Sequence, residues 1–345
     1  MIDMNNEFEG KKILFLCTGF HEYYKVIKGI MEDMGLSVMF EMIPRFPESS
    51  RNLCHSKSYF FWYHYAKNPK YRTKWTRQLI NRVGNQNFDY LLCIGDVPFK
   101  GFFLDKLREM NPRIRTCLFL WDRFSIVYVP SNIISKFDYK FSFDRDDCKK
   151  VQGLEYLPDF YMHSEQEASS HLKYDVSVIA TYNEKRAQTA LKLKEFCDQN
   201  GLKAYIFLLY VEPRVTKWNI IGNILASRKK KIFLKKYANV DFIKKERLTT
   251  EQVDAIQNQS ACIFDFSYKG RQGLTLNAVA ALVKGKKLIT SNYRIKNEDF
   301  YNPQTIYVYD FDNPQFDLNF FKRPVVPKQM DNLRLDNWLK YILCK

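Results

Sequence analysis

Short apolar runs alternate with longer amphipathic segments along most of the chain. The run Lys12–Thr18 (KILFLCT) predicts a buried strand. The segment Phe20–Met34 predicts a helix, because its apolar residues recur at three- and four-residue spacing before Gly35. Ser37–Ile43 predicts a second strand. Strands that alternate with helices pair in parallel through crossovers, so the pattern predicts a doubly wound α/β sheet.

The alternation continues on both sides of one polar segment, 159–173 (DFYMHSEQEASSHLK), which lacks periodic apolar positions and marks a domain boundary. Before it, we predict a helix from Tyr59 to Val83 with a break near Pro69, strands Tyr90–Ile94, Arg115–Leu120, Tyr139–Ser142 and Leu154–Leu157, helix Phe102–Met110 and a short helix from Asp144. After it, we predict strands Asp175–Thr181, Lys203–Leu209, Asp241–Ile243, Ala261–Phe266 and Lys287–Thr290, and helices Glu184–Gln199, Thr250–Gln257, Leu274–Val283 and Asp331–Leu343.

The length of the chain predicts more than one domain. Its 345 residues exceed what a single hydrophobic core usually supports. We predict an N-terminal domain over 1–160, a C-terminal domain over 174–330, and a C-terminal helix within 331–345 that packs back on the first domain. The predicted fold class is α/β, with two Rossmann-like doubly wound domains that face a cleft.

Composition excludes several classes of protein. The apolar runs are no longer than a strand, and the first residues (MIDMNNE) contain no basic region followed by an apolar one, so we expect a cytoplasmic protein. The 8 cysteines stand singly, which predicts thiols and no zinc site. Asp144–Asp147 and Asp310–Asp312 resemble a metal-binding D-x-D, but they fit a helix start and a turn better, so we predict no catalytic metal.

The formal net charge of +16 calls for an anionic partner. Nucleic acid, a membrane leaflet and a phosphorylated substrate all remain open at this point. One basic cluster runs from Lys67 to Arg82, directly after the aromatic run Tyr59–Tyr63, and a second lies between Arg228 and Lys236. The first cluster is equally consistent with the solvated face of a helix.

The strongest local signal for a ligand is the segment 263–277 (IFDFSYKGRQGLTLN). An apolar strand ends near Asp265, a loop containing Arg271 follows, and a helix begins near Gly273. Glycine lets the backbone approach a ligand, Thr275 can cap the helix or contact phosphate, and a helix N-terminus favours anions. Ser291 and Asn292, after the next strand, would line the same rim. The alternative is that the glycines only shape a turn, because the segment is not a P-loop.

Other strand ends carry weaker signals. After the first strand of the second domain, Tyr182 could stack on a ligand and Arg186 could reach a phosphate, whereas Asn183 suits an ordinary helix cap. The first domain has TGFHE at the equivalent position, which does not match G-x-G-x-x-G and so disfavours dinucleotide binding. Candidates for a general base there are His21, Glu22, Asp96 and Asp122. The two aspartates could equally cap helices.

Three stretches of the chain resemble a family of bacterial GT-B-fold glycosyltransferases from capsule, exopolysaccharide and lipopolysaccharide gene clusters. They are 118–161 (a strand-WD, FSFD-x-x-D and YLP-x-FY run), 176–186 (VSVIATYNEKR) and 262–310 (with RQGLT, GKKLITSN and DFYNP in order). Two departures stand out. The glutamine adjoins the glycine directly in RQGLT, and Ala280 stands where the family often has glutamate.

The resemblance implies a nucleotide-sugar-binding C-terminal domain and an acceptor-binding N-terminal domain. The implied donor-binding residues are Tyr182, Asn183, Arg186, Asp265, Arg271, Gly273, Leu274, Thr275 and Asn292. It also implies that no metal and no cofactor is needed, because helix dipoles and basic side chains neutralise the leaving nucleoside diphosphate.

The resulting hypothesis is hexosyl transfer from a nucleotide sugar, with a UDP-sugar favoured, to a saccharide or lipid-linked saccharide in bacterial surface polysaccharide synthesis. The Lys67–Arg82 cluster could then hold the enzyme against the anionic inner face of the plasma membrane. A basic nucleic-acid-binding protein is the rival from another class, but no helix-turn-helix, zinc-finger or RNP signature is present, so no nucleic-acid partner is predicted. A GT-B-fold protein that binds without catalysing transfer is the third possibility.

Overall fold

Buried apolar runs form the strands of two parallel sheets. The computed structural model describes all residues except 1–6, 19–22, 44–68, 125–128, 163–171, 213–223, 225–226, 229, 232, 234, 238, 268–272 and 325–326. The first sheet contains β1 Lys12–Thr18, β2 Ser37–Ile43, β3 Tyr90–Ile94, β4 Arg115–Leu120, β5 Tyr139–Ser142 and β6 Glu155–Tyr156. The second contains β7 Tyr174–Thr181, β8 Ala204–Leu209, β9 Ile243–Lys244, β10 Ser260–Asp265, β11 Lys287–Thr290 and β12 Ile306–Val308.

Helices connect these strands. Those of the first half are α1 Tyr23–Asp33, α2 Pro69–Val83, α3 Phe102–Met110, α4 Ser131–Ile134 and α5 Arg145–Lys150. The second half has α6 Glu184–Gln199, α7 Thr250–Asn258, α8 Leu276–Val283, α9 Leu318–Lys322 and α10 Leu335–Cys344, with 3-10 turns at Tyr293–Asn297 and Asp331–Leu333. The predictions for 20–22 and 59–68 lie outside the described residues. The sequence missed β12, α4 and α9, which are too short to show a period.

Strand order confirms the predicted doubly wound α/β class. The first sheet runs β2-β1-β3-β4-β5-β6, and the second runs β12-β11-β10-β7-β8-β9, with every pairing parallel. Counted from β7, the second order is 3-2-1-4-5-6, the order of dinucleotide-binding domains. The direction of winding therefore reverses between β1 and β3 in one sheet and between β7 and β10 in the other.

Both faces of the first sheet are covered, as its alternating side chains require. Leu14 and Leu16 of β1 pack on one face with α2 and α3, whereas Ile13 and Phe15 pack on the other with α1 and α10. Successive residues of a strand point to opposite faces, so a strand buried on both sides reads as a continuous apolar run.

The chain divides into two compact units. The first comprises Met1–His163 and Arg334–Lys345, and the second comprises Ser164–Leu333. The single helix predicted over 331–343 was wrong at its start. Arg334 is extended (φ −69°, ψ 142°) and bridges Tyr161 in parallel, so a 3-10 turn ends before it and α10 begins after it. A residue with extended backbone angles cannot belong to a helix. Arg334 pairs with Tyr161, which lies 173 positions earlier, so a local sequence pattern could not predict this break.

Two further observations concern the described part of the chain. None of its helices is both long enough and apolar enough to cross a bilayer. Its cysteines are free thiols, as predicted, and Cys93, Cys117 and Cys262 are fully buried within strands. Burial raises the pKa of the Cys117 and Cys262 thiols to about 12, so both behave as small apolar side chains.

Lys287 is a buried lysine at the start of β11, with 5% of its surface exposed. Its ammonium group donates to the carbonyl oxygens of Phe320 (2.9 Å), Phe321 (3.2 Å) and Arg323 at the end of α9. A cation at a helix C-terminus offsets the partial negative charge of the unpaired carbonyls. Lys287 therefore fastens α9 to the edge of the second sheet.

Replacing this lysine, Lys287→Met, is expected to lower the free energy of unfolding by about 1–3 kcal/mol, because buried carbonyls lose their donor. Burial lowers the pKa of Lys287 from 10.5, so the unfolded chain keeps this proton to higher pH. Between the folded-state pKa and 10.5, the contribution of Lys287 to the free energy of unfolding therefore rises with pH. Urea unfolding at pH 8 and pH 10 should show the gap between wild type and variant widening. The exposed control Lys192→Met should stay within about 0.5 kcal/mol of wild type at both pH values, and an equal loss in both variants would contradict the assignment.

Candidate functional site

The winding of the second sheet reverses between the carboxyl ends of β7 and β10, where open α/β sheets bind ligands. These strands pair in register, with Phe264 opposite Val178, so Asp265 and the residues after Thr181 reach the same edge. Strand β11 lies on the other side of β10, with Thr290 opposite Asp265, and brings Asn292 to that edge as well. The structure thus gathers the described donor-binding candidates of the sequence at one edge of one unit.

Asp265 is the buried centre of this edge, with 2% of its surface exposed. Its Oδ1 accepts a hydrogen bond from the Thr275 hydroxyl, and its Oδ2 accepts one from the Thr290 hydroxyl at 2.7 Å. The Tyr309 hydroxyl donates to its carbonyl oxygen at 3.3 Å. Both carboxylate oxygens therefore accept hydrogen bonds from other side chains of the protein. Through these bonds, Asp265 fixes the start of α8 against β10 and β11.

The turn Gly273–Thr275, called the α8 turn below, is the feature best suited to an anion. Thr275 is the N-cap of α8, and its side chain accepts from the Ala278 amide at 3.2 Å. The helix therefore starts at Leu276 rather than at the predicted Leu274. Within the described residues, the amides of Gly273 and Leu274 have no acceptor, as is general before and in the first turn of a helix. Such amides, together with the helix dipole, form an anion-binding site.

Asn292 holds the α8 turn from the side of β11. Its side-chain amide donates to the Gly273 carbonyl oxygen at 3.3 Å, its side-chain oxygen accepts from the Arg294 amide at 3.2 Å, and its own amide donates to the Thr290 hydroxyl at 3.0 Å. Asn292 is buried. Its side chain therefore positions the backbone of the turn. Arg271, and the rest of the preceding loop, lie outside the described residues.

At the end of β7, the structure shows Asn183 as a helix cap and Arg186 as a cation at the edge. The Asn183 side chain accepts from the Arg186 amide at 2.8 Å and caps α6. The Arg186 guanidinium donates to the Thr181 carbonyl oxygen at 2.9 Å and lies 5.5 Å from the centre of the Phe266 ring. This contact crosses from β7 to β10, so the positive charge of Arg186 stands where the winding reverses.

Tyr182 belongs to an aromatic cluster rather than to an open stacking platform. Its ring meets those of Tyr210, Phe233 and Tyr237 edge to face, at centroid distances of 5.5, 5.3 and 5.7 Å. Burial, followed by the neighbouring Tyr237 and Glu184, raises the pKa of Tyr182 to about 12. The hydroxyl is therefore protonated at any physiological pH and can act only as a neutral hydrogen-bonding group.

Sequence analysis placed Ser291 beside Asn292 on this rim, but it missed other residues that build the edge. Ser267 and Ser291 exchange two hydrogen bonds of 2.9 Å across β10 and β11, and the Asn277 side chain donates to the Ile179 carbonyl oxygen at 3.0 Å. Asn277 thereby ties α8 to β7. Polar residues such as Thr290, at the end of an otherwise apolar strand, were the available signal. Ala280 is buried in α8, and as an alanine it supplies no carboxylate at the position where the resemblance expects a glutamate.

The first unit brings two of the four general-base candidates to neighbouring strand ends. Asp96 follows β3 and Asp122 follows β4, and these strands pair with Ile94 opposite Phe119. Gly95 between strand and aspartate has φ of +99°, a conformation that favours glycine, and its amide donates to the Phe119 carbonyl oxygen at 2.9 Å. His21 and Glu22 lie outside the described residues.

The two D-x-D-like segments have the structures expected from the sequence. Asp144 is the N-cap of α5 and accepts from the amides of Asp146 and Asp147, and the Asp310 side chain accepts from the Asp312 amide at 2.8 Å in a turn. Burial raises the pKa of Asp147, which accepts from the Phe124 amide at 2.6 Å. In the part of the chain that the structure describes, no group of three or more His, Cys, Asp or Glu residues could hold a metal ion.

Comparisons with known proteins find distant likenesses only. No protein-family model matches the chain, and no curated protein matches it significantly. Among solved structures, sucrose-phosphate synthase from Thermosynechococcus elongatus is similar at a TM-score of 0.49 and 11% identity, over 97% of this chain and 90% of that one. The apo structure of OtsA gives 0.47 and 11%, over 88% and 89%. An α1,3-fucosyltransferase gives 0.42 and 10%, over 97% and 91%.

Proposed function

We propose that this chain is a glycosyltransferase of GT-B type that transfers a hexosyl group from a nucleotide sugar to a saccharide. The observation that carries the proposal is the α8 turn, with the open amides of Gly273 and Leu274 at the edge where the winding of a 3-2-1-4-5-6 sheet reverses. An edge of this kind binds the phosphates of a nucleotide. The sequence around it, RQGLT, resembles glycosyltransferases and not the glycine fingerprint of dehydrogenases.

In the proposed reaction, the pyrophosphate of the donor lies against the α8 turn. The helix dipole, the two amides and the guanidinium of Arg186 then stabilise the negative charge that develops on the leaving nucleoside diphosphate, which is the role a metal would otherwise take. Asp265, Thr275 and Asn292 act by holding these donors in place, since their own side chains are engaged. Preorganised donors of this kind need no rearrangement as charge develops.

The remaining parts of the proposal concern the acceptor. The second unit binds the donor, with a UDP-sugar favoured, and the first unit binds the saccharide or lipid-linked saccharide. Asp96 or Asp122 removes the proton from the attacking hydroxyl, because both follow strands at the ligand-binding edge of the first sheet. The products are the lengthened saccharide and the nucleoside diphosphate. We place this reaction in bacterial surface polysaccharide synthesis, in the cytoplasm at the inner face of the plasma membrane.

A thermal-shift panel of UDP, GDP, CMP, ADP and TDP tests the donor site. A nucleotide present at about a hundred times its dissociation constant is expected to stabilise the protein by about 2.7 kcal/mol, and we expect UDP to have the largest effect. Thr275→Val, which removes the hydroxyl that caps α8, should reduce the UDP shift. The matched control Thr305→Val lies in the same unit, away from the α8 turn, and should preserve it.

Two outcomes would reject the proposal. One is a protein whose melting temperature responds to none of the five nucleotides. The other is a protein that binds duplex oligonucleotides at physiological salt without any response to a nucleotide, which would make it a nucleic-acid-binding protein. A UDP shift without sugar transfer or donor hydrolysis, across a panel of UDP-sugars, would leave a binding protein that does not catalyse.

A further inference from the structure

Two buried aspartates at the start of α5 contact the loop that follows β4. Residues 121–124 (WDRF) are called the β4 loop below. Asp144 Oδ2 lies 3.3 Å from Nε of Arg123, and Asp147 Oδ2 accepts a hydrogen bond from the Phe124 amide at 2.6 Å. Two consecutive residues of the β4 loop are therefore each held by a carboxylate, and the proposed donor chemistry does not use these contacts.

The cap of α5 does not account for both carboxylates. Asp144 Oδ1 accepts from the amides of Asp146 at 2.8 Å and Asp147 at 3.3 Å, which completes the cap. Asp144 exposes 1% of its surface and Asp147 exposes 8%. Burial raises the pKa of Asp147, and the charge of Asp144 raises it further, so a second carboxylate here is costly to ionise. Its side chain hydrogen-bonds the β4 loop, which lies outside α5.

An aromatic ring anchors the other end of the β4 loop. The Trp121 ring is partly buried, with its centroid 5.6 Å from that of Tyr23 and 5.4 Å from that of Phe160. Phe160 belongs to the core of the first unit. Asp122 thus lies between a packed tryptophan and two held residues, so the backbone on both sides of it is fixed.

Asp122 is the carboxylate of this group that a substrate can reach. It is partly exposed directly after β4, at the edge where open α/β sheets bind ligands, whereas Asp144 and Asp147 are buried. A general base must lie within hydrogen-bond distance of the proton that it removes. Because a displacement of about 1 Å can lower a rate by about 100-fold, a fixed loop suits a base at this position.

We infer that Asp144 and Asp147 are positioning residues, which hold the β4 loop so that Asp122, rather than Asp96, is the base for the acceptor. The inference rests on the proposed function. In the reaction, the acceptor oxygen bonds to the anomeric carbon, and the bond from that carbon to the diphosphate oxygen breaks. The electron pair of that bond leaves with the nucleoside diphosphate, and the acceptor proton moves to the Asp122 carboxylate.

The test uses water in place of the saccharide, so that the base removes a proton from water. Steady-state UDP release from UDP-glucose, UDP-galactose and UDP-N-acetylglucosamine gives kcat and KM. Asp122→Asn should lower kcat by about 100-fold or more, the usual contribution of a general base. Asp147→Ala should lower kcat by about tenfold to 100-fold through displacement of the β4 loop. Asp147→Asn keeps one acceptor oxygen and should give an intermediate loss.

The value of KM separates positioning from general damage. Donor binding is assigned to the second unit, so KM for the UDP-sugar and the UDP-dependent thermal shift should stay at their wild-type values in these variants. Asp144→Asn keeps the cap, since asparagine caps helices as well as aspartate does, but loses the charge that faces Arg123. It should lower kcat by about tenfold with little change in melting temperature.

The matched control is Asp138→Asn, at the opposite end of the same strand pair. Asp138 precedes β5, accepts from the Thr116 amide of β4 at 2.8 Å and pairs with Arg108 at 2.9 Å. Like Asp147, it is a carboxylate that holds a backbone amide, but it lies at the amino ends of these strands. Its replacement should lower the melting temperature and leave kcat unchanged.

Three results would overturn the inference. One is a loss of kcat in Asp138→Asn as large as that in Asp147→Ala, and another is a folded Asp147→Ala protein with wild-type kcat. The third is loss of UDP release in Asp96→Asn but not in Asp122→Asn, which would place the base after β3. Failure of the proposed function gives a different result: a wild-type protein that neither binds UDP nor releases it from any of the three UDP-sugars.

Discussion

Replacing Trp338 with alanine is expected to lower the free energy of unfolding by about 3–5 kcal/mol, the usual cost of removing a large buried aromatic side chain. Trp338 is fully buried in α10, with its ring 4.4 Å from that of Phe160 and 4.7 Å from that of Phe119. Its indole N–H donates to the Pro158 carbonyl oxygen at 3.0 Å. The variant leaves both a cavity and a buried carbonyl without its donor.

Urea unfolding of Trp338→Ala beside Tyr341→Ala measures the effect. Tyr341 is an aromatic residue on the same helix with 49% of its surface exposed, so its loss should cost about 1 kcal/mol or less. A similar loss in both variants would mean that α10 is not anchored through its buried face. The comparison also tests whether the C-terminal helix, distant in sequence, is an essential part of the first unit's core.

Replacing Asp265 with alanine is expected to destabilise the second unit by about 3 kcal/mol, because the hydroxyls of Thr275 and Thr290 lose a charged acceptor inside the protein. The same change should abolish the UDP-dependent thermal shift, since the cap of α8 loses its support. Asp265→Asn keeps the size and one acceptor oxygen, so both losses should be intermediate. Urea unfolding and the nucleotide panel measure the two effects separately.

The control for this prediction is Asp299→Ala, which removes an exposed aspartate of the same unit. It should change stability by no more than about 0.5 kcal/mol and preserve the UDP shift. An Asp265→Ala protein that is destabilised but still binds UDP with native affinity would show that the network supports the fold and not the ligand. A protein unaffected in both respects would contradict the network itself.

Most strands could be predicted from the sequence because buried strands consist largely of apolar residues. The predicted bounds of β1, β2, β3, β4, β5 and β11 agree with the structure residue for residue. Strands β1, β3 and β4 are buried along almost their whole length, so their sequences are nearly continuous apolar runs. Strands β2 and β5 are only partly buried and contain Glu41 and Lys140, and β11 begins with Lys287.

A predicted boundary was off by one residue at Ser260, which belongs to β10 because it pairs with Tyr174 of β7. Its buried hydroxyl donates to the Ile256 carbonyl oxygen at 2.6 Å. A hydrophobicity pattern does not show that a buried hydroxyl has found a hydrogen-bond acceptor.

From the sequence, we could predict where the residues of the candidate site lie but not what their side chains contact. The sequence located Asp265, Thr275 and Asn292 near one rim, because carboxyl ends of parallel strands meet at one edge of a sheet. For Thr275 it left open a helix cap or a phosphate contact, and for Asp265 and Asn292 it implied ligand contacts, whereas the structure engages all three side chains with the protein. Short-range rules favoured Asn183 as a cap, and the structure agrees, because a cap depends on residues within one turn.

The amino-acid sequence by itself determined where most strands and helices of this protein lie and that they alternate, because both depend on hydrophobic patterns over neighbouring residues. The tertiary structure alone decided that Thr290, 25 residues away, shares the carboxylate of Asp265, and that Arg334 pairs with Tyr161. These outcomes depend on contacts between distant parts of the chain, and distant contacts form only once the sheets have brought their edges together.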